Sequence, residues 1–408
     1  MACLFGYICF QRLFYLMKAI HFLYILALTV AGCSNQERSE EDNAGTNARN
    51  YPWMKPSTVK YPTLTKAYTN DKKAAVERFC DKYFRNESNS VSLLVAKNGQ
   101  IIYERYQGDA DKIEGTKIGA NTPLHIASVS KVFTATAIML LVEKNKIGLD
   151  QKVNTILTEF PYPDISVRNL LSHRSGLRNY AYFIEDKGVW DLKQTITNQD
   201  ILNLFTEKEI KCDCPADTRF CYCNTNYAML ALIIEKITGM KYPEAMKTMI
   251  FEPLEMNDTY VFDYEKDRKT AVPSYKGNME IGLDHLDAVY GDKNIYSTPR
   301  DILKFDLART APTFLNPKLR EEMYKGYSYE RKGEKNYGLG FRMYEWEGGQ
   351  KFHFHNGWWH GSTSSYISLM KDHVTIIALS NKFTKNTYAV RKLAPLFGDY
   401  PFDFGDED

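Results

Sequence analysis

Residues 92–106, with the sequence SLLVAKNGQIIYERY, contain two strand-like runs that are joined by Asn98-Gly99. Asn-Gly between two such runs predicts a tight β-hairpin, because both residues tolerate a positive φ. Three further strands are predicted near the other end of the chain, at 352–355, 364–370 and 374–380. Strands at the two ends of one chain predict a single antiparallel sheet to which both termini contribute.

Helices are expected at both ends of this region and in its middle. The residues DKKAAVERFCDKYF at 71–84 place apolar side chains on one helical face, and NTYAVRKLAPLF at 386–397 is predicted to be a closing helix. We expect both helices on one face of the sheet. Residues from about 150 to 300 are predicted to be mainly helices and long loops. The predicted fold class is therefore α+β, with a mainly helical lobe inserted between the two halves of the sheet.

A targeting segment precedes the folded part of the chain. Residues 19–32 are apolar apart from His21, Lys18 precedes them, and the chain becomes strongly polar after Cys33. A basic residue, an apolar run and an end rich in small residues are typical of a signal peptide. The tetrapeptide Val30-Ala31-Gly32-Cys33 resembles the lipobox of bacterial lipoproteins, in which the cysteine is lipidated.

We therefore predict a signal peptide at 1–32, starting at Met1 or Met17, followed by lipidated Cys33 and a polar tether at 33–68. The resemblance implies export and anchoring to a bacterial membrane, on the periplasmic side or at the cell surface. An uncleaved transmembrane anchor is the alternative, because the length of the apolar segment permits it. The predicted globular domain covers 69–397, with a sheet-containing lobe at about 69–150 and 300–397, a helical lobe at about 150–300, and a C-terminal tail at 398–408.

The charge balance argues against nucleic acid as a partner. The chain has 52 Lys and Arg residues against 50 Asp and Glu residues, and it has no basic block. A protein that binds nucleic acid needs a basic surface that neutralises phosphates. We therefore expect a small-molecule or peptide substrate, while the oligomeric state stays open.

The run SVSKVFTATAIMLLVEK contains Ser128 and Lys131 and is apolar on nearly all sides, which predicts a buried helix. The two residues are three positions apart, so they share one helical face about one turn apart. An apolar setting favours the neutral form of a lysine, which can take the serine proton and activate the hydroxyl. The helix N-terminus also supplies N–H donors for an oxyanion. A serine cap followed by a surface lysine would show the same spacing.

Tyr222, Cys223 and Asn224 precede a second apolar helix, which ends at Gly239. A phenol beside a cationic lysine can act as a base or as a proton relay. The Asn224 amide can orient the lysine or a substrate amide. In isolation, however, the segment is more typical of a core tyrosine and a helix-capping asparagine.

A third group, His355-Asn356-Gly357, lies in the predicted strand region FHFHNGWWHGSTSSY. A glycine on a strand lets a ligand approach the backbone closely, and the N–H that follows it can complete an oxyanion hole. His353, His355 and His360 could instead bind a metal, but they have no matching carboxylate motif and no helical spacing. We therefore predict no metal and no organic cofactor.

In this order, S-x-x-K, Y-x-N and a glycine-bearing strand motif resemble the penicillin-recognising serine hydrolase superfamily. Tyr222 makes the chain similar to the class C β-lactamase branch, which includes D,D-peptidases, D-aminopeptidases and esterases. The resemblance covers roughly residues 70–385 and implies a β-lactamase/transpeptidase-like fold. Its other matching stretches are TPLHIASVSKVFTATAI, ISVRNLLSHRSGL, PADTRFCYCNTNYAMLALIIEKITG, PLEMNDTYV and GDKNIYSTPRDILKF.

The resemblance implies acylation of a serine by an ester, amide or lactam, followed by hydrolysis without a cofactor. It makes Ser128 the nucleophile, with Lys131 and Tyr222 as its proton partners. The N–H groups of Ser128 and Trp358 would form the oxyanion hole. The residues that it assigns to substrate binding or orientation are Asn224, His355, Gly357 and Trp358.

Two departures from the family pattern bear on the substrate. His355 stands where β-lactamases have a lysine, and Trp358-Trp359 follow where small residues are usual. A histidine is mostly neutral at pH 7, and indole bulk narrows the cleft. We therefore expect an esterase or peptidase in preference to an efficient β-lactamase. The alternatives are a penicillin-binding D,D-peptidase or D-aminopeptidase acting on cell-wall peptides, and a binding or sensor relative that does not turn over.

Five cysteines follow Cys33, and four of them form two C-x-C pairs at 212–214 and 221–223. If these two segments pair as antiparallel strands, Cys214 faces Cys221 and Cys212 faces Cys223 within disulfide range. Because exported thiols meet oxidants, we predict the disulfides Cys212–Cys223 and Cys214–Cys221. A four-thiolate zinc site is the alternative. Cys80 is expected to be a buried thiol on its helix.

Overall fold

The computed structural model describes residues 53–86, 89–330 and 333–402. The predicted signal peptide, Cys33 and much of the predicted tether lie outside the described residues. No helix within those described ranges is long and apolar enough to cross a membrane.

The described part of the chain is a mixture of α-helices and short to medium strands. Its helices are α1 (Lys66–Tyr83), α2 (Ser130–Glu143), α3 (Val167–Leu171), α4 (Tyr180–Phe183), α5 (Asn198–Glu207), α6 (Asn224–Thr238), α7 (Tyr242–Met246), α8 (Tyr264–Asp267), α9 (Pro299–Thr310) and α10 (Pro317–Tyr324). Its strands are β1 (Val91–Lys97), β2 (Gln100–Gln107), β3 (Asp109–Asp111), β4 (Thr116–Lys117), β5 (Leu124–His125), β6 (Tyr260–Val261), β7 (Ser274–Lys276), β8 (Met279–Ile281), β9 (Ile295–Ser297), β10 (Lys335–Tyr337), β11 (Arg342–Glu345), β12 (Lys351–Trp359), β13 (Ser362–Leu369) and β14 (Val374–Ser380).

Seven of these strands form one antiparallel sheet in the order β10-β11-β12-β13-β14-β1-β2. The N-terminal hairpin therefore joins the sheet beside the C-terminal strand β14, with Ser92 opposite Leu379. Asn98 and Gly99 both have a positive φ, of 56° and 72°, as the predicted turn requires. The prediction of an α+β fold with a sheet built from both termini is confirmed.

One face of the sheet is covered by the two ends of the domain. Helix α1 packs there through Val76 and Phe79, beside Val390 and Leu393 of the C-terminal segment. The predicted closing helix is present in that segment as a 3₁₀ helix, Tyr388–Leu396. Pro395 lies inside it and has no N–H to donate to an α-helical hydrogen bond.

The region between the two halves of the sheet is mainly helical, as predicted, and α2 packs against α6 within it. It also contains a three-stranded sheet, β5-β9-β6, and the hairpin β7-β8. These strands were not predicted, because runs of two or three residues are too short to show a periodic pattern. The small sheet matters for the site, since β5 leads directly into the turn that carries Ser128.

Candidate active site

Ser128 lies in a 3₁₀ turn, Ala127–Val129, that precedes α2. Ala127 has φ 48°, a left-handed conformation that is uncommon for alanine. Two hydrogen bonds hold this turn: the Ala127 N–H donates to Nδ1 of His125 at 3.1 Å, and the Ile126 N–H donates to the carbonyl of Ile295 at 2.9 Å. The turn therefore fixes the half-buried Ser128 hydroxyl at the edge of a cleft.

Lys131 is fully buried at the start of α2, one turn after the serine. Its Nζ donates to Ser128 Oγ at 3.0 Å, to Asn224 Oδ1 at 2.9 Å and to the carbonyl of Asp292 at 2.7 Å. The S-x-x-K spacing thus brings the two groups into direct contact, as expected. The Asp292 carbonyl was not anticipated, because a backbone acceptor leaves no signal in the side-chain pattern.

Tyr222 lies on the segment that leads into α6, and its ring lines the same cleft as Ser128. Lys131 Nζ is 5.1 Å from the centre of the Tyr222 ring, and the guanidinium carbon of Arg342 is 4.6 Å from it. The Arg342 guanidinium and the ammonium form of Lys131 are both within cation–π distance of the phenol ring. The structure therefore brings together Ser128, Lys131, Tyr222 and Asn224, which the sequence places in two distant motifs.

Gly357 lets strand β12 approach the nucleophile turn. A Cβ atom at this position would lie 2.5 Å from the carbonyl oxygen of Ile126 and 2.9 Å from the Cβ of Ala127. Real Cβ contacts are essentially never that short, so a side chain would force one of the two elements away. The close approach expected of this glycine is present. Strand β12 therefore lies directly against the turn that carries Ser128.

The Trp358 side chain is 63% exposed at the cleft, and its Nε1 donates to the carbonyl of His360 at 2.9 Å. The Trp359 ring covers the side chain of Lys293, with Nζ 4.6 Å from the ring centre, and it also lines the cleft. The expected indole bulk is therefore present on the strand that borders the site.

His355 does not lie where the resemblance suggested. Its side chain is fully buried and is not among the residues that line the cleft, so direct contact with substrate is not available to it. Its Nδ1 donates to the carbonyl of Asn356 at 2.8 Å, and its Nε2 accepts from the Tyr337 hydroxyl at 3.2 Å. Burial, followed by the positive charges of Arg342 and Lys131, holds the His355 pKa well below its usual value. His355 is therefore a neutral group beneath the site.

Arg342 is a cation of the cleft that the sequence analysis did not predict. It is half-buried on β11, lines the cleft and makes no ion pair with a carboxylate within the described residues. Its neighbours Phe341 and Met343 are buried, so the alternation of the strand does indicate that Arg342 faces away from the core. That signal shows exposure, but it could not show that the exposed face borders Ser128.

The cleft has a volume of about 810 Å³. A larger cavity of about 1260 Å³ lies elsewhere, beside Arg168, Arg174 and Cys212, and none of the predicted catalytic residues lines it. Arg168 and Arg174 are already paired with carboxylates there. We therefore place the chemistry in the smaller cleft, where the reactive groups converge.

The three histidines that raised the possibility of a metal have separate surroundings. His353 and His355 are buried along β12, whereas His360 pairs with Asp287, Nε2 to Oδ2, at 2.9 Å. Asp284, Asp287 and His360 offer ligand atoms within 4.8 Å of one another. Asp287 already accepts from Trp359 Nε1 at 2.7 Å as well as from His360. These contacts explain the cluster as a hydrogen-bonded group at the edge of the cleft.

The two predicted disulfides, Cys212–Cys223 and Cys214–Cys221, are wrong in this structure. All four cysteines of the C-x-C pairs are free thiols there. The two segments do not pair with each other, because both bind the loop at 173–176. The Asp213 N–H donates to the carbonyl of Gly176 at 2.8 Å, and the Cys221 N–H donates to that of His173 at 2.9 Å. Cys223 is buried, which raises the pKa of its thiol to about 12. Cys80 is a buried thiol, as expected.

Comparison with known proteins identifies the family. The Beta-lactamase family matches residues 76–395 of this chain. Penicillin-binding protein 4* of Bacillus subtilis is 31% identical over 333 residues, which cover 76% of this chain and 73% of that protein. The teichoic acid D-alanine hydrolase of Staphylococcus aureus is 28% identical over 280 residues, covering 66% of this chain and 67% of the relative.

A similar fold is seen in the crystal structure of a penicillin-binding protein from Bacillus halodurans. The TM-score is 0.67 at 22% identity, covering 79% of this chain and 99% of that one. The chain belongs to the Beta-lactamase family. It is an enzyme of the serine hydrolase class, as the three motifs predicted.

Proposed function

We propose that the protein hydrolyses an ester, amide or lactam through an acyl intermediate on Ser128, and that esters, small amides and peptides are better substrates than lactams. The observation that carries this proposal is the 3.0 Å contact between Lys131 Nζ and Ser128 Oγ in an accessible cleft. A lysine that holds a serine hydroxyl at this distance can accept its proton when the amine is neutral.

In the proposed reaction the neutral amine of Lys131, with its lone pair towards Ser128 Oγ, takes the Ser128 proton while Oγ bonds to the substrate carbonyl carbon. The N–H groups of Ser128 and Trp358 stabilise the oxyanion, and Asn224 keeps Lys131 in place. Lys131 and Tyr222 return the proton to the leaving alcohol or amine as its bond to the carbonyl carbon breaks. Water then attacks the acyl carbon, gives a proton to the same pair, and Ser128 regains its proton when the acid leaves.

A fluorophosphonate probe tests the nucleophile, because it reacts covalently with activated serines. We expect labelling of wild type and of the matched control Ser130→Ala, and no labelling of Ser128→Ala. Ser128→Ala and Lys131→Ala should each lose hydrolysis by a similar factor, on the order of 10³ or more, because groups that act as a unit are not additive. Labelling at Ser130 would contradict the assignment. Stable acylation of Ser128 without turnover would indicate a sensor.

Arg342 favours a second, narrower function: a peptidase whose substrate ends in a carboxylate, such as a D-Ala-D-Ala peptide. Its guanidinium faces the cleft without a carboxylate partner in the described part of the chain, and a carboxylate can accept from two of its five N–H donors at once. One relative of the chain is a penicillin-binding protein of Bacillus subtilis. A D-alanyl ester is the alternative substrate for the same acyl-enzyme reaction, because another relative is named teichoic acid D-alanine hydrolase.

A paired substrate test separates these candidates. Arg342→Gln should lower kcat/KM for a D-Ala-D-Ala peptide by about ten- to a hundredfold, since hydrogen bonds to charged groups contribute about 1.5–3 kcal/mol. The same peptide with an amidated end, and a D-alanyl ester, should be nearly unaffected. Lys335→Gln is the matched control, because Lys335 is a cation of the same cleft that does not contact the Tyr222 ring. Equal losses on all substrates would contradict carboxylate recognition by Arg342.

We also propose that the protein is exported and anchored to a bacterial membrane through lipid on Cys33. The support is the signal-like segment at 1–32 and the lipobox-like Val30-Ala31-Gly32-Cys33. Cells that express the full chain should incorporate a labelled fatty acid into it. Cys33→Ala should abolish incorporation, whereas the control Cys9→Ala should keep it. Unchanged incorporation in Cys33→Ala would refute the anchor.

A further inference from the structure

His173 follows α3 directly and lies behind the cleft. Its side chain is fully buried, and its backbone has φ 57°. A residue other than glycine in this region carries backbone strain, and the strained conformation persists only where its surroundings fix it. The contacts of His173 therefore indicate the function of its strained backbone conformation.

His173 is hydrogen-bonded to the two residues that flank Tyr222 in the chain, Cys221 and Cys223. The carbonyl of His173 accepts from the N–H of Cys221 at 2.9 Å, and its ring Nδ1 accepts from the N–H of Cys223 at 3.2 Å. One residue thus binds the backbone immediately before and immediately after the tyrosine. Because successive side chains of an extended segment point to opposite sides, two such bonds fix the direction of the residue between them.

The imidazole ring also packs against the tyrosine itself. The ring centres of His173 and Tyr222 are 4.3 Å apart, and the ring of Tyr337 lies 4.8 Å from His173 on another side. Aromatic rings at such separations attract one another in addition to the effect of burial. His173 therefore contacts the Tyr222 ring as well as the backbone on both sides of it.

The hydrogen bonds determine the tautomer of His173. A backbone N–H can only donate, so Nδ1 is an acceptor and the ring proton lies on Nε2. The Asn226 amide donates to the same Nδ1 at 3.1 Å. Nε2 is buried and has no hydrogen-bond partner within the described residues, so the ring forgoes one hydrogen bond in this position. Burial, and then the charges of Lys131 and Arg342, hold the His173 pKa well below its usual value and keep Nδ1 available as an acceptor.

We propose that His173 is the positioning residue for Tyr222: it clamps the backbone on both sides of the tyrosine and holds the phenol ring beside Lys131. The proposal rests on the proposed function, in which Tyr222 moves the proton. It goes beyond the three sequence motifs, because none of them includes His173. If His173 acted only by packing the loop at 173–176, its effect on activity would not depend on Tyr222.

A double-mutant cycle tests this proposal. His173→Gly keeps the left-handed backbone accessible but removes the ring and its acceptor. We expect it to lower kcat for a chromogenic ester on the order of 10²-fold, as misplacement of a catalytic group does, with little change in KM. In a Tyr222→Phe background, the same substitution should cause almost no further loss, since the group that it positions is already absent.

His173→Asn provides the rescue and a second route to the same answer if the glycine variant fails to fold. Asparagine tolerates a positive φ and offers an amide oxygen near the position of Nδ1, so it should recover part of the lost kcat. Losses that add in full to those of Tyr222→Phe, for both variants, would overturn the proposal. A fully active Tyr222→Phe enzyme would instead refute the proposed role of Tyr222, so the two failures are distinguishable.

Discussion

Gly357→Ala tests how the sheet and the nucleophile turn make the site together. The added Cβ would lie 2.5 Å from the Ile126 carbonyl oxygen, which already accepts from Ser364 Oγ at 2.6 Å. Non-bonded carbon contacts are most favourable at about 3.5–4.0 Å, so β12 or the turn must move by about 1 Å. Both candidate oxyanion donors, the N–H groups of Ser128 and Trp358, belong to the elements that would separate.

The expected effect on activity follows from that displacement. Removal of one oxyanion donor costs on the order of 10²–10³ in kcat, and we expect Gly357→Ala to lose a factor in this range. Overpacking should also lower the free energy of unfolding by about 1–3 kcal/mol. The assay is kcat and KM with a chromogenic ester, together with urea unfolding, which shows that the variant remains folded at the assay temperature.

Gly282→Ala is the matched control, because a Cβ there meets nothing within 4 Å and its φ is not in the positive range. It should retain wild-type activity and stability. If Gly357→Ala is also fully active, the close approach of β12 to the Ser128 turn is not what forms the oxyanion site, and the geometry proposed here is wrong.

Three further expectations concern acid stability, the thiols and the buried histidine of the third motif. Burial lowers the pKa of His125 and of His353 from 6.5 to about 4. Between these pH values the unfolded chain therefore binds more protons than the folded chain. The free energy of unfolding should therefore fall as the pH decreases from 6.5 towards 4, with a smaller slope in His353→Gln; a flat profile would contradict this. His355→Lys should lower the thermal stability without raising kcat/KM for carboxylated substrates, because the new ammonium would be buried beside Arg342 and Lys131. A stable variant with a higher kcat/KM for those substrates would show that position 355 faces the cleft. In denatured, unreduced protein a thiol reagent should modify Cys212, Cys214, Cys221 and Cys223 as well as Cys80. Modification of Cys80 without the other four would instead indicate the two disulfides Cys212–Cys223 and Cys214–Cys221.

The parts of the fold that could be predicted are those with local signals. Asn98-Gly99 has a backbone preference of its own, and the strand at 374–380 is an apolar run of ordinary length, so both were located correctly. The short strands β5, β6 and β9 have no comparable signal, because tertiary contacts decide their pairing. Pro395 was visible in the sequence, but its consequence for the closing helix was overlooked.

The candidate site divides in the same way. Ser128 and Lys131 are close in sequence, so helix geometry alone predicted their contact. The cysteine segments were paired with each other because they are also close in sequence. The loop at 173–176 competes for the same backbone groups, and it was not considered. His173 and Arg342 could not be found by spacing, because long-range packing brings them to Tyr222.

The position of the cation bears on the substrate. The third motif has a neutral, buried histidine where the related β-lactamases have a lysine, so β12 presents no charge to the cleft. The cation lies instead on the neighbouring strand, where Arg342 pairs in register with Phe354 and contacts the Tyr222 ring. A guanidinium stays charged at every working pH and binds a carboxylate through two parallel hydrogen bonds, which an ammonium cannot do.

The exposed indole of Trp358 meanwhile restricts the space along β12. A flexible peptide can extend its carboxylate towards β11, whereas a fused lactam holds its carboxylate rigidly close to its carbonyl. This arrangement is the reason why we expect a linear substrate to be preferred to a bicyclic lactam in the proposed function.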